Sequence, residues 1–351
     1  MTQKTVNIQF LDILRALSTV GVILIHISTP VLKMTFGQNM NYWWIGNGMD
    51  SAVRFVIAMF LMLTGATMLH KSYRLTEFYR KRLFRVILPF LFWSAIYCVF
   101  IWLKLPHKTQ PSDFQSIIPW AIHLFVNENI SRHLWYVYMI IQIYLIVPFI
   151  AKFVQKLSIS WLWVILTSWL LVNTALSFHF FQLPSGNLIL QKYINYGLYL
   201  GFLLLGFALM KIPVPSFKVR IISGFTFMTT VFVAAITTYY LSIKAHKLDT
   251  SCYGTLTANT IIQAVSLFII LKDIILKSVI LTRITNLISN YSFGIYLVHI
   301  LVVNQLFDHK IYWKIAYPLI SLPALLVLVL LLSMGIVYVL RKIPGGKYIA
   351  G

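Results

Sequence analysis

The chain has 351 residues, 59% of them hydrophobic and 11% charged, against roughly a quarter charged in a soluble globular domain. Its net charge of +21 would suggest nucleic acid in a soluble chain, but apolar stretches near the ~20 residues that cross a bilayer recur throughout and leave no basic domain to hold one. Two cysteines, Cys98 in an apolar stretch and Cys252 in a loop, provide neither a disulfide framework nor a metal-ligand spacing, so no metal site is expected.

The hydropathy pattern predicts an all-α, polytopic membrane bundle forming a single domain over residues 1–351. About ten spans are expected, near 8–30, 43–69, 86–104, 133–153, 158–178, 193–210, 218–243, 254–276, 285–307 and 313–340. The first contains Asp12 and Arg15, is longer than a signal-peptide core and lacks a small-residue cleavage site, so it reads as a retained helix. An even number of spans puts both termini on one side. With the amino terminus inside, the inner segments hold about twice as many Lys and Arg residues as the outer ones, which predicts cytoplasmic termini. Most of this bias lies in His70 to Arg85, HKSYRLTEFYRKRLFR. The longest loop, about 105–132, holds an apolar run from Ser116 to Val126 that Pro119 interrupts. It is too short to span and reads as an interfacial or re-entrant segment. No internal repeat is visible, which speaks against a transporter built from duplicated halves.

The sharpest signal lies in the first span, FLDILRALSTVGVILIH, where Asp12, Arg15 and His26 interrupt an apolar helix. Charges at that depth require partners or water. Asp12 and Arg15 are three apart and can pair. Arg15 and His26 are eleven apart, about three turns plus 20°, so they share a face some ~16 Å apart along the axis. Histidine suits proton abstraction near neutral pH, as a hydroxyl nucleophile requires, and the fixed guanidinium suits phosphate or a carbonyl oxygen. Spacing alone leaves open a plain helix-to-helix hydrogen bond for His26.

The Arg15 and His26 pair within LDILRAL…H resembles the signature of the acyltransferase 3 family of membrane acyltransferases. Further segments agree in order: MFLMLTG at Met59 to Gly65, FYRKRLFRVILPFLFW at Phe78 to Trp93, HLWYVYMIIQIYLIVP at His133 to Pro148 and YSFGIYLVH at Tyr291 to His299. The chain is similar to short members, including polysaccharide O-acetyltransferases, that consist of the membrane domain alone. In the second segment Thr64 replaces the usual serine. In the fourth, Ile140 and Ile141 stand where many relatives carry paired glutamates before the residue matching Gln142, so no role of those carboxylates carries over.

The resemblance implies transfer of an acyl group, commonly acetyl from acetyl-CoA, to a hydroxyl of a surface polysaccharide or lipid-linked glycan, in a bacterial plasma membrane. The partners expected are acyl-CoA as donor substrate, the glycan acceptor, membrane lipids and polysaccharide-synthesis proteins. No permanently bound cofactor is expected. His26 would be general base, with Arg15 lining the donor path. Arg82 and Arg85, three apart, are a topology anchor on their own, and with the resemblance they become candidates to hold CoA phosphates. Arg54 reads as an ion-pair partner of Asp50, four residues earlier, or as a cavity cation touching the acceptor or acyl carbonyl. Trp135, Tyr136, Tyr138 and Tyr144 read as an interfacial aromatic belt, with stacking on a sugar ring as the alternative. His133 and His299 fall in family segments and are expected to border the cavity. Direct transfer and an acyl-histidine intermediate both remain open. A glycan exporter or flippase would use the same charged residues to line a path, and an O-succinyltransferase would differ in its donor pocket.

Overall fold

The computed structural model describes residues 9–106, 110–111, 113–177 and 196–351. Most of these residues are helical, with no strand among them. In chain order the helices are α1 (Gln9–Thr35), α2 (Met40–Ala52), α3 (Val56–Met68), α4 (Leu75–Lys104), α5 (Phe114–Val126) and α6 (Trp135–Val154), then α7 (Ile159–Ser177), α8 (Leu200–Lys211), α9 (Phe217–Lys244), α10 (Ala258–Leu271), α11 (Val279–Asp308) and α12 (Pro318–Lys342). Side chains mark several starts: Asn39, Ser216, Thr257 and Ser278 each accept a hydrogen bond from a first-turn amide, and Asp113 closes a capping box with Ser116.

Nine segments among the described residues are long and apolar enough to cross a membrane, with α2 and α3 together counting as one. The expected span at 193–210 corresponds to the shorter apolar helix Tyr196–Lys211; positions 193–195, and 178 of the preceding span, lie outside the described residues. Its contacts run from one end of the bundle to the other. Tyr196 donates to Glu128, at the end holding the 105–132 loop, while the carbonyls of Leu209 and Ile212 accept from Lys272 Nζ at 2.8 and 2.5 Å. Lys272 lies near Gln9, since Leu276 N donates to Gln9 Oε1. Among the described residues the candidate crossings therefore number ten when this helix is added to the nine. Parity agrees, because α1 and α11 pack in parallel: Gln9 meets Thr282, Arg15 meets Ser289 and His26 meets His299.

Two expected spans differ in detail. The second is broken at residues 53–55, between α2 and α3, with Arg54 inside the break. The third starts earlier than hydropathy alone suggests: α4 runs unbroken from Leu75, so the basic segment is helical and Arg82 and Arg85 belong to it. Four positive charges, Arg80, Lys81, Arg82 and Arg85, are enough to stop a hydropathy window but not a helix, since Lys and Arg are good helix formers. The run at 116–126 forms the short helix α5, as its length requires.

The helices around α1 pack closely. Gly65 on α3 and Gly206 on α8 let the two backbones touch, since a Cβ at either would lie 1.9 Å from a carbonyl oxygen of the other helix. By contrast α9 exposes Phe225, Met228 and Phe232, as a lipid-facing helix does. Several basic residues are absorbed by helix ends. Lys272 caps α8, Arg220 donates to carbonyls at the end of α10, and Arg341 donates to Asn290 O at 3.0 Å and covers the Tyr291 ring.

Candidate active site

Three histidines distant in sequence converge at the end of the bundle opposite Gln9. His26 comes from α1, His299 from α11, and His133 from the single 3₁₀ turn that precedes α6. Ring centroids are 5.1 Å apart for His26 and His299, 5.1 Å for His133 and His299, and 6.5 Å for His26 and His133. His133 and His299 are buried, whereas His26 is half-buried. Tyrosines wall this chamber. Tyr97 and Tyr296 each lie 5.4 Å from His133, Tyr296 donates to the His133 carbonyl, and Tyr136 packs on Tyr296 at 5.5 Å.

The hydrogen bonds around the chamber fix one tautomer. His299 Nδ1 faces the Tyr296 carbonyl at 2.7 Å and the Ile295 carbonyl at 3.2 Å, so Nδ1 carries the hydrogen and Nε2 the lone pair. His133 Nδ1 is 2.9 Å from Ser131 Oγ. His299 Nε2 is buried without a hydrogen-bond partner, whereas the His133 ring also bonds the Leu297 backbone. His26 opens instead onto a small pocket, a cavity of about 20 Å³, whose other walls include Ile27, Val303, Phe307, Trp313 and Leu325. No group of three His, Cys, Asp or Glu among the described residues is placed to hold a metal ion.

Toward the Gln9 end the same α1 face carries Arg15. Its guanidinium donates to Asp12 at 2.9 Å and to Ser289 Oγ at 3.0 Å, and Ser289 donates to Asp12 at 2.6 Å. This triangle ties α1 to α11 while leaving the Arg15 side chain 32% exposed. Arg15, Arg82 and Arg85 all lie within electrostatic range of Tyr144 on α6. Cations from two helices thus act on one region of the bundle, as suits a multiply charged anion.

At the histidine end, Arg54 is paired with the fully buried Asp50 and lies 3.9 Å above the Tyr253 ring centroid. Ser28, two residues beyond His26, reaches Asp50 at 3.3 Å. Arg54 and Arg132 both lie within electrostatic range of His26.

A sequence model of the acyltransferase 3 family, described as an acyltransferase domain, matches residues 8–342. The chain belongs to the acyltransferase 3 family. Neither the curated proteins nor the solved structures compared with it give a match. Membership makes it a multi-pass membrane acyltransferase, and the two clusters lie on the segments quoted above for the family. Ile140 is buried in the core.

The expected site residues thus fall into two groups within this acyltransferase: Arg15, Arg82 and Arg85 near Tyr144, and His26, His133 and His299 at the far end with Arg54 nearby. The aromatic belt needs correction at Tyr136, the one of its four residues that is buried. Tyr136 is buried beside Tyr296 and Phe60, Tyr138 donates to the Phe125 carbonyl at 2.7 Å, and Trp135 packs on Tyr199 at 5.9 Å. These rings fill the space between helices. Sequence reasoning missed Ser289, Ser131, Tyr296 and the network joining Asn47, Ser51, Tyr253 and Gln263. One signal for the last was present: Asn47, Asp50, Ser51 and Arg54 follow the i, i+3, i+4, i+7 pattern of one helical face.

Proposed function

We propose that this acyltransferase moves an acetyl group from acetyl-CoA to a hydroxyl of a surface polysaccharide or lipid-linked glycan, with His26 as the general base. The observation that carries the reading is the division of α1 between two clusters. One turn presents Arg15 to the same region as Arg82 and Arg85, and three turns further on His26 stands at an open pocket. Guanidinium groups hold the donor's phosphates, and the narrow pantetheine arm reaches along α1 toward His26. His26 takes the acceptor's proton as its oxygen attacks the thioester carbonyl. The C–S bond breaks, and the CoA thiolate recovers the proton from His26.

With Gln9 on the cytoplasmic side of a bacterial plasma membrane, both termini are cytoplasmic and the histidines lie near the outer leaflet. The basic segment His70 to Arg85 supports that orientation. The donor then enters from the cytoplasm and the acceptor from outside. Arg54, held by Asp50 and Tyr253, is a preorganised donor for the developing oxyanion.

The test is incorporation of radiolabelled acetyl from acetyl-CoA into glycans of membranes containing wild type, His26→Gln or Arg85→Ala at equal abundance. Labelling should fall at least about 10²-fold, to a measurable residual level, in His26→Gln and fall in Arg85→Ala, with recovery of the latter at high acetyl-CoA. Equal labelling in wild type and His26→Gln would reject the assignment.

A further inference from the structure

Among the described residues, His299 is completely buried in the chamber and the proposed reaction has so far given it no task. Its Nδ1 hydrogen is spent on the Tyr296 carbonyl of its own helix, which leaves the Nε2 lone pair at the opposite side of the ring, buried and without a donor. An unsatisfied buried acceptor costs about 1–3 kcal/mol, so a donor arriving there is favoured. Two other imidazoles adjoin it. His133 already engages Ser131 through Nδ1 and also bonds the Leu297 backbone, whereas no hydrogen bond from His26 to a described residue is found. The 5.1 Å centroid separation of His26 and His299 permits a ring nitrogen of one to approach a ring nitrogen of the other within hydrogen-bond distance after a small rotation.

We infer that His299 is the positioning residue of His26: its Nε2 accepts the hydrogen bond from one ring nitrogen of His26 and so directs the other, unprotonated nitrogen to the pocket where the acceptor hydroxyl sits. The arrangement is a base oriented by a third group, with a neutral imidazole in the place a carboxylate or amide takes elsewhere. When His26 removes the hydroxyl proton, the new C–O bond forms and the C–S bond breaks. The imidazolium is then stabilised through the same hydrogen bond until the thiolate takes the proton back. The backbone carbonyl of Tyr296 fixes the His299 tautomer, so His299 cannot rotate to offer a donor without losing that bond. His133 at 6.5 Å from His26 is the wall of the chamber and not the partner.

The inference rests on the acetyltransferase reading, and one set of variants separates the two. Purified wild type, His299→Phe, His299→Gln, His26→Gln and the double variant His26→Gln/His299→Phe are compared for kcat and for KM toward acetyl-CoA. His299→Phe should lower kcat about 10²-fold with KM unchanged. His299→Gln, whose amide oxygen can take the place of Nε2, should restore most of the rate. In the His26→Gln background His299→Phe should cost nothing further, because it acts through His26. His299→Met replaces the phenylalanine variant if that protein is not recovered monodisperse. An unchanged kcat in an enzyme that needs His26, or equal losses in both backgrounds, would overturn this inference alone. A wild type that transfers no acetyl, or a His26→Gln variant as fast as wild type, would overturn the acetyltransferase reading on which it stands.

Discussion

Asp50 has no exposed side-chain surface, and its partner Arg54 retains 16%. Removing one member of such a pair leaves a buried charge uncompensated, at about 3–5 kcal/mol, whereas replacing both with apolar residues of similar size is often neutral. Asp50→Leu keeps Arg54 over the Tyr253 ring, which offsets about 1 kcal/mol. Its net cost should therefore be about 3 kcal/mol, roughly a 10²-fold change in the folded-to-unfolded ratio. Arg54→Met leaves Asp50 with the Ser28 hydroxyl and should cost at least as much. The double variant Asp50→Leu/Arg54→Met should lie within about 1 kcal/mol of wild type, inactive but stable. Thermal unfolding in detergent, followed by labelling of Cys98 and Cys252 with a thiol-reactive dye, measures this order, since both thiols are half-buried. A double variant as unstable as the sum of the singles would refute the coupling.

At the helix crossing, Gly206→Ala places a methyl group 1.9 Å from the Met62 carbonyl oxygen and must separate α8 from α3, at about 1–3 kcal/mol or more; the same dye assay reads it. Ser289→Ala removes one partner of the Arg15 and Asp12 triangle. It should cost about 1 kcal/mol of stability because Arg15 is partly exposed, and should raise KM for acetyl-CoA several-fold in steady-state kinetics. Arg82→Ala and Arg85→Ala should each weaken acetyl-CoA binding in isothermal titration, increasingly so at low salt, while Lys272→Met should leave affinity unchanged because Lys272 caps α8.

Contacts within one helix were legible in the sequence, and contacts between helices were not. The Asp12–Arg15 and Asp50–Arg54 pairs follow from three- and four-residue spacing, and the shared α1 face of Arg15 and His26 follows from the helical period. The convergence of His26, His133 and His299 bridges more than a hundred residues between successive members and depends on packing, which periodicity cannot encode. The belt expectation for Tyr136 failed for a related reason. In a membrane helix both the lipid-facing and the protein-facing sides are apolar, so hydropathy does not say which side is buried. The break at residues 53–55 was hidden because the stretch as a whole is apolar enough to cross, and the polar residues from Asn47 to Arg54 lie on one inward-facing stripe of it.

The central claim is that donor and acceptor meet through one bundle from its opposite ends. It is tested most directly with the protein reconstituted in one orientation in vesicles, radiolabelled acetyl-CoA supplied at the face bearing Arg82 and Arg85, and the glycan acceptor enclosed on the other. Labelled glycan inside the vesicles, lost in His26→Gln, is the predicted result. Labelling that occurs only when donor and acceptor share a face, or that persists without His26, would contradict it.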